Sequence, residues 1–208
     1  MVLEKLNLSS ITVPDKEHPL VILVSACLKG IKCGVDGDHY GEYPSVLRLL
    51  NYSNVKIVTF CPEDFSFGTP REMCDIHGGN GFDVLEGKAK VLTASGTDWT
   101  EGMIRAAHKM VEFAKASKAV IAILMDTSAA CGTSVIYDGN RFAADKKYQA
   151  GMGVCAAGLS KAGIPCISQR DFATLELLYS LIDPGHIPDF QKIDHTETQW
   201  YKDYFNTK

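Results

Sequence analysis

Residues 119–139 read AVIAILMDTSAACGTSVIYDG, and the stretch opens with an unbroken apolar run from Ala119 to Met125. A short run of this kind, partly β-branched, is the pattern of a strand buried on both faces, as in a parallel sheet covered by helices. It runs out into Asp126, Thr127 and Ser128, then two alanines, Cys131 and Gly132. Residues that small let backbone or a bulky group approach closely. The arrangement recurs. PLVILVSA (19–26) is a second unbroken run, followed at once by Cys27, and VKIVTF (55–60) is a third, followed at once by Cys61.

Helical patterns lie between and after these runs. YPSVLRLLNYS (43–53) predicts a short helix with Pro44 in its first turn, and TDWTEGMIRAAHKMVEFAKAS (97–117) carries apolar residues at helical spacing behind Thr and Asp capping candidates. YQAGMGVCAAGLSKAG (148–163) predicts a helix closed by Gly163, and DFATLELLYSLI (171–182) another, with the strand IPCIS (164–168) between them. KAKVLTA (88–94) alternates as an edge strand does, and TSVIYDGNRFAA (133–144) suggests a hairpin turning at Asp138–Gly139. Residues 61–82 read as a long loop. The alternation predicts an α/β fold with a mostly parallel sheet. The chain divides into an N-terminal arm (1–18), an α/β domain (19–183) and an aromatic, polar C-terminal extension (184–208).

Composition narrows the function classes. A chain of 208 residues with 46% hydrophobic and 22% charged residues is an ordinary globular protein, sized for one domain at roughly 100–200 residues each. A net charge of -4 gives no general attraction to nucleic acid or to an anionic membrane surface. No apolar run approaches the about 20 residues of a membrane helix, and the first residues lack the pattern of a signal peptide. The expected setting is the cytoplasm, with a small molecule as partner; a homo-oligomer stays open. The seven cysteines are then reduced thiols serving as core residues, metal ligands or nucleophiles.

Parallel strands end on one edge of the sheet, where ligands bind. Cys27, Cys61 and Cys131 would therefore meet, although any single cysteine is well explained as a small buried hydrophobe. Cys33, Cys74, Cys155 and Cys166 show no strand-end placement and read as core or surface filler. Three converging thiolates repel one another and resist burial, and a bound cation resolves both problems. Zinc in a structural site takes four ligands, and no C-x2-C pair is present. A four-iron cluster usually takes four cysteines, so three would leave one iron open as a Lewis acid. A metal-free enzyme with a low-pKa thiolate nucleophile is the alternative.

Five ordered segments, VSACLKGIKCGVDG, CPEDFSFGTPRE, IHGGNGFDVLEGKAKV, TSAACGTSVIYDG and GMGVCAAGLSKAGIPCIS, resemble the motifs of a bacterial family first catalogued as domain of unknown function 523, which includes thiouracil desulfidase. The resemblance runs from about residue 20 to 170. It implies a Rossmann-like three-layer fold and a [4Fe–4S] cluster held by three cysteines, which fall on Cys27, Cys61 and Cys131. The fourth iron would take the sulfur of a thiolated nucleobase, the catalytic glutamate falls on Glu63, and the catalytic serine on Ser128. Where the family usually has Ser-Pro-Ser-Cys-Gly, this chain has Ser128-Ala129-Ala130-Cys131-Gly132. Where the family commonly has Arg-Tyr-Asp-Gly, it has Gly34-Val35-Asp36-Gly37.

The function implied is removal of sulfur from a thiouracil-like base to give the oxo compound and sulfide, without net redox chemistry. A non-catalytic cluster- or metal-binding sensor, or a sulfide carrier, is the runner-up. Glu63 could relay protons or pair with Arg71, and Ser128 could bond substrate or cap its loop. Arg71 could hold a planar carbonyl or anion with its fork of donors, or pin the loop that carries it. His39, His77 and His108 have no metal-binding spacing, and GGNG (78–81) is read without the strand-then-helix setting of a dinucleotide loop.

Overall fold

The computed structural model describes residues 11–39, 41 and 43–205, so residues 1–10 of the expected arm lie outside the described residues. The central sheet runs from edge to edge through Val55–Phe60, Leu20–Ser25, Ile121–Leu124 and Cys166–Ser168, all parallel. In that order the strands are β2, β1, β5 and β8. Successive side chains on a strand point to opposite faces, and both faces are apolar. Leu23, Ala122 and Leu124 pack with Met103, Ala107 and Met110 of α4 (Thr100–Ala116) and Ala156 and Leu159 of α5 (Val154–Lys161). Ile22, Val24, Ile121 and Ile123 pack on the other side, against α1 (Pro44–Leu47) and α6 (Phe172–Ile182). Full burial of each such aliphatic side chain contributes about 1.5–3 kcal/mol. The result is a Rossmann-like three-layer α/β fold. No helix among the described residues is long and apolar enough to cross a membrane.

Residues 61–82 are more ordered than their sequence suggests. They hold α2 (Pro62–Phe67), β3 (Cys74–His77) and the start of α3 (Gly81–Leu85). Pro62 at the first helical position with Glu63 and Asp64 in the first turn is a helix-start signature. The strand β4 (Lys90–Thr93) pairs antiparallel with β3 in a separate two-stranded sheet and does not edge the main one. GGNG thus does lie between a strand and a helix, but that strand is antiparallel, and Asn80 closes the turn as the capping box of α3.

The hairpin also differs. β6 (Val135–Asp138) pairs with β7 (Lys147–Ala150), and residues 139–146 connect them. Gly139 does take a left-handed turn, with φ at 78°, but the chain is then drawn aside because Arg141 binds Asp75 through its backbone N–H and its guanidinium. Residues 147–150 are spent on β7, so α5 starts later than its sequence pattern predicts.

The small residues after β5 are explained by α5. Its first turn descends onto the loop, where Val154 N–H donates to Ala129 O (2.8 Å) and Cys155 N–H to Ala130 O (2.9 Å). Gly153 N–H donates to Gly132 O (2.8 Å). Helix N-termini leave such N–H groups unpaired, and here the loop carbonyls receive them. A Cβ on Gly153 would stand 2.6 Å from the backbone carbon of Ala130, and one on Gly132 would stand 2.8 Å from Ser128 O. Gly153→Ala is therefore expected to destabilise the protein by about 1–3 kcal/mol, the usual range for overpacking. Urea unfolding of the variant beside wild type checks this, and an unchanged midpoint would contradict it.

Candidate active site

Each predicted cysteine takes its position from the end of a parallel strand. Cys27 lies in the 3-10 turn Ala26–Leu28 that leaves β1. Cys61 follows β2 and is the N-cap of α2, its sulfur accepting the Asp64 N–H at 3.4 Å. Cys131 lies in the loop after β5, beneath the start of α5. All three line one cavity of about 270 Å³ at the carboxyl edge of the sheet, together with Glu63, Arg71 and Ser128. The structure thus brings all six expected site residues together. His39, His77 and His108 are not in its wall.

Cys33 is in that wall too, 3% exposed, although its sequence position marks it only as filler. The neighbouring Cys27 thiol and burial push the Cys33 thiol up to about 12, against Cys61 and the Arg71 charge, which lower it. Cys61 is likewise raised, by the neighbouring Cys33 thiol and by burial. Burial raises Cys131 well above the ordinary thiol value, with only the nearby Ser25 hydroxyl acting to lower it. Among the described residues no three His, Cys, Asp or Glu side chains are gathered tightly enough to hold a single metal ion.

Glu63 and Arg71 form one unit. Arg71 Nη2 donates to Glu63 Oε2 at 2.8 Å, with the Arg71 side chain 3% exposed and that of Glu63 21%. Arg71 Nη1 donates to Cys33 O (2.9 Å), Gly68 O (3.2 Å) and Thr69 Oγ1 (3.1 Å), so this guanidinium ties the 61–71 segment to the loop carrying Cys33. The Ser128 Oγ accepts the N–H groups of Ala130 (3.2 Å) and Cys131 (3.1 Å) and so caps the cysteine loop.

Asp126 and His195 escaped the sequence reading. Asp126 is buried under the cysteine loop and accepts the N–H groups of Thr133 (3.2 Å), Ser134 (3.4 Å) and Val135 (3.4 Å). His195 Nδ1 donates to its second oxygen at 2.5 Å, from a 3-10 turn (His195–Glu197) in the C-terminal extension. Burial works to raise the Asp126 pKa, but the His195 bond and charge and the backbone donors outweigh it and hold the group below its ordinary value. His195 in turn stacks on Trp200 of α7 (Gln199–Phe205). Nothing local in the sequence pairs residues so far apart; the only signal was an acid placed where a buried strand ends. Arg141, matched to Asp75 across two short bonds, is a further cavity residue that the sequence did not single out. Thr127 beside it holds φ at 60°, a left-handed conformation that is rare for a β-branched residue.

An open parallel sheet with a cysteine-lined cavity at its carboxyl edge is the architecture of an α/β enzyme, and comparison with known proteins gives the type, a desulfidase. Residues 22–171 match the family described as 2-thiouracil desulfurase. The uncharacterized protein YbbK of Bacillus subtilis (strain 168) is 42% identical over 152 residues, which is 73% of this chain and 97% of that protein. The solved structure of the [4Fe-4S]-dependent thiouracil desulfidase TudS (DUF523Vcz) superposes with a TM-score of 0.64 at 31% identity, covering 78% of this chain and 99% of that one. The chain belongs to the 2-thiouracil desulfurase family. The family match stops at residue 171, so His195 lies beyond it.

Removing the partner of a buried carboxylate leaves that charge uncompensated, at a cost of about 3–5 kcal/mol. His195→Ala is expected to lose stability of that order at neutral pH, read from urea unfolding. Because the Asp126 pKa is lowered on folding, its contribution is present above the ordinary value of 3.8 and is lost as pH falls through the folded value. The gap between wild type and variant should therefore narrow in acid. A gap that stays constant down to strongly acidic pH would contradict the assignment.

Proposed function

We propose that the protein is a [4Fe–4S]-dependent desulfidase acting on a thiouracil-like base, with Cys27, Cys61 and Cys131 as the cluster ligands. The observation that supports this most is the convergence of three strand-end cysteines on one cavity. The donor set fits such a group: several thiols are buried together with their pKa values raised, and they need a strongly positive partner to ionise. Donors spread around a cavity rather than gathered on one point suit a cluster better than a single ion. The same raised thiols disfavour a metal-free nucleophile, which requires a lowered pKa.

A bound cluster would supply a Lewis-acidic iron to draw sulfur from carbon. The net reaction is C=S plus water giving C=O plus hydrogen sulfide, so no electrons are gained or lost. Glu63 takes a proton from the attacking water and returns one to the departing sulfur. Arg71 holds one carboxylate oxygen, and the other has no hydrogen-bond partner among the described residues. Ser128 accepts two backbone N–H groups, which leaves its own O–H to be donated to the base or the water. Phe60, Met73 and Met125 line the cavity with apolar surface suited to a flat ring.

Protein purified and reconstituted without oxygen should contain iron and sulfide and convert 2-thiouracil to uracil. Glu63→Gln keeps the shape and a hydrogen-bonding end but cannot exchange a proton. It should retain its iron and lose about 100-fold or more in turnover, as for loss of a general acid–base. A variant that turns over at the wild-type rate would move the proton relay elsewhere. A wild-type protein that binds no iron would overturn the proposal as a whole.

A further inference from the structure

We infer that Cys33 is a fourth, exchangeable ligand of the cluster site, closing the position that the other three cysteines leave open and yielding it to the substrate sulfur. The inference rests on the proposed function and adds a resting state to it. Four thiols, not three, face the cavity, and four is the usual complement of a four-iron cluster. Cys33 is as hidden from solvent as the core, it lines the same cavity as the other three, and its carbonyl oxygen lies 3.8 Å from Cys61 Sγ.

Its backbone sets it apart from those three. Cys27 and Cys61 are fixed by a 3-10 turn and a helix N-cap, and Cys131 by the Ser128 cap and α5. Cys33 sits in residues 30–39, which hold neither helix nor strand; its N–H donates to Ile31 O at 2.8 Å, and its carbonyl takes side-chain donors. That oxygen accepts from Arg71 Nη1 at 2.9 Å and from Cys61 Sγ at 3.8 Å. With the carbonyl held, rotation about the single χ1 bond moves the sulfur between staggered wells without moving the chain. The thiol can thus swing on and off while Arg71 and Glu63 stay in place. In the exchange the iron–Sγ bond breaks, an iron–sulfur bond to the C=S group forms, and the departing thiolate takes a proton from solvent. The electron count of the cluster is unchanged.

The test uses the full chain, reconstituted anaerobically as wild type, Cys33→Ser and Cys33→Ala. A cluster with a fourth thiolate resists oxidative loss of its fourth iron, whereas one with an open position converts readily to the three-iron form, which is visible by electron paramagnetic resonance. Wild type should convert several-fold less than either variant on ferricyanide titration. In unmodified holoprotein, 2-thiouracil should increase alkylation of Cys33 by iodoacetamide, read by mass spectrometry, and this arm needs no variant to fold. Equal conversion in all three proteins, or Cys33 labelling indifferent to 2-thiouracil, overturns the inference and leaves the proposed function standing. Wild type without iron overturns the proposed function itself.

Discussion

The carboxylate of Asp126 is the point from which the site is hung. It lies where β5 stops being a strand, and its two oxygens collect three backbone N–H groups of the cysteine loop and the imidazole of His195. A buried carboxylate is tolerated only when its lone pairs are filled, so the group dictates its surroundings. The loop must curl over it, and Thr127 accepts a left-handed backbone to let it do so. Cys131, Ser128 and the first turn of α5 then follow as consequences of where that loop lies.

The cavity balances its charges in pairs. Arg71 is matched to Glu63 and Arg141 to Asp75, and both guanidinium groups are largely buried. Both guanidinium groups are committed to carboxylates, and the Cys61 and Cys131 thiols are held above the ordinary thiol value. Under the proposed function, such thiols would release protons as the cluster is loaded. The pairing also places the carboxylate of Glu63 against the same cavity under the control of a fixed partner, so its position does not depend on solvent.

Much of this was written in local patterns. The unbroken runs at 19–26, 55–60 and 119–125 carry the strand signal because both faces of the sheet are buried, and Cys27, Cys61 and Cys131 were visible as residues at strand ends. The helix α2 was legible in Pro62, Glu63 and Asp64 but was hidden by the short length of the segment. The pairing of β3 with β4, the bend of the hairpin toward Asp75, and the arrival of Cys33 beside Cys61 are contacts between distant parts of the chain, which no window of residues encodes. His195 is the extreme case: it sits among polar and aromatic residues with no periodicity, and its importance is set entirely by a carboxylate 69 positions earlier.

That separation bears on what counts as a self-sufficient unit. The segment shared with relatives, 22–171, contains every cysteine of the cavity together with Glu63, Ser128 and Arg71, and by recognition alone it would be cut out as the minimal enzyme. In this chain the excised piece would carry Asp126 without the imidazole that hydrogen-bonds it and without the turn that covers it. Transplanting or trimming the enzyme therefore has to keep residues 194–200, or replace Asp126 and the loop it organises as one block.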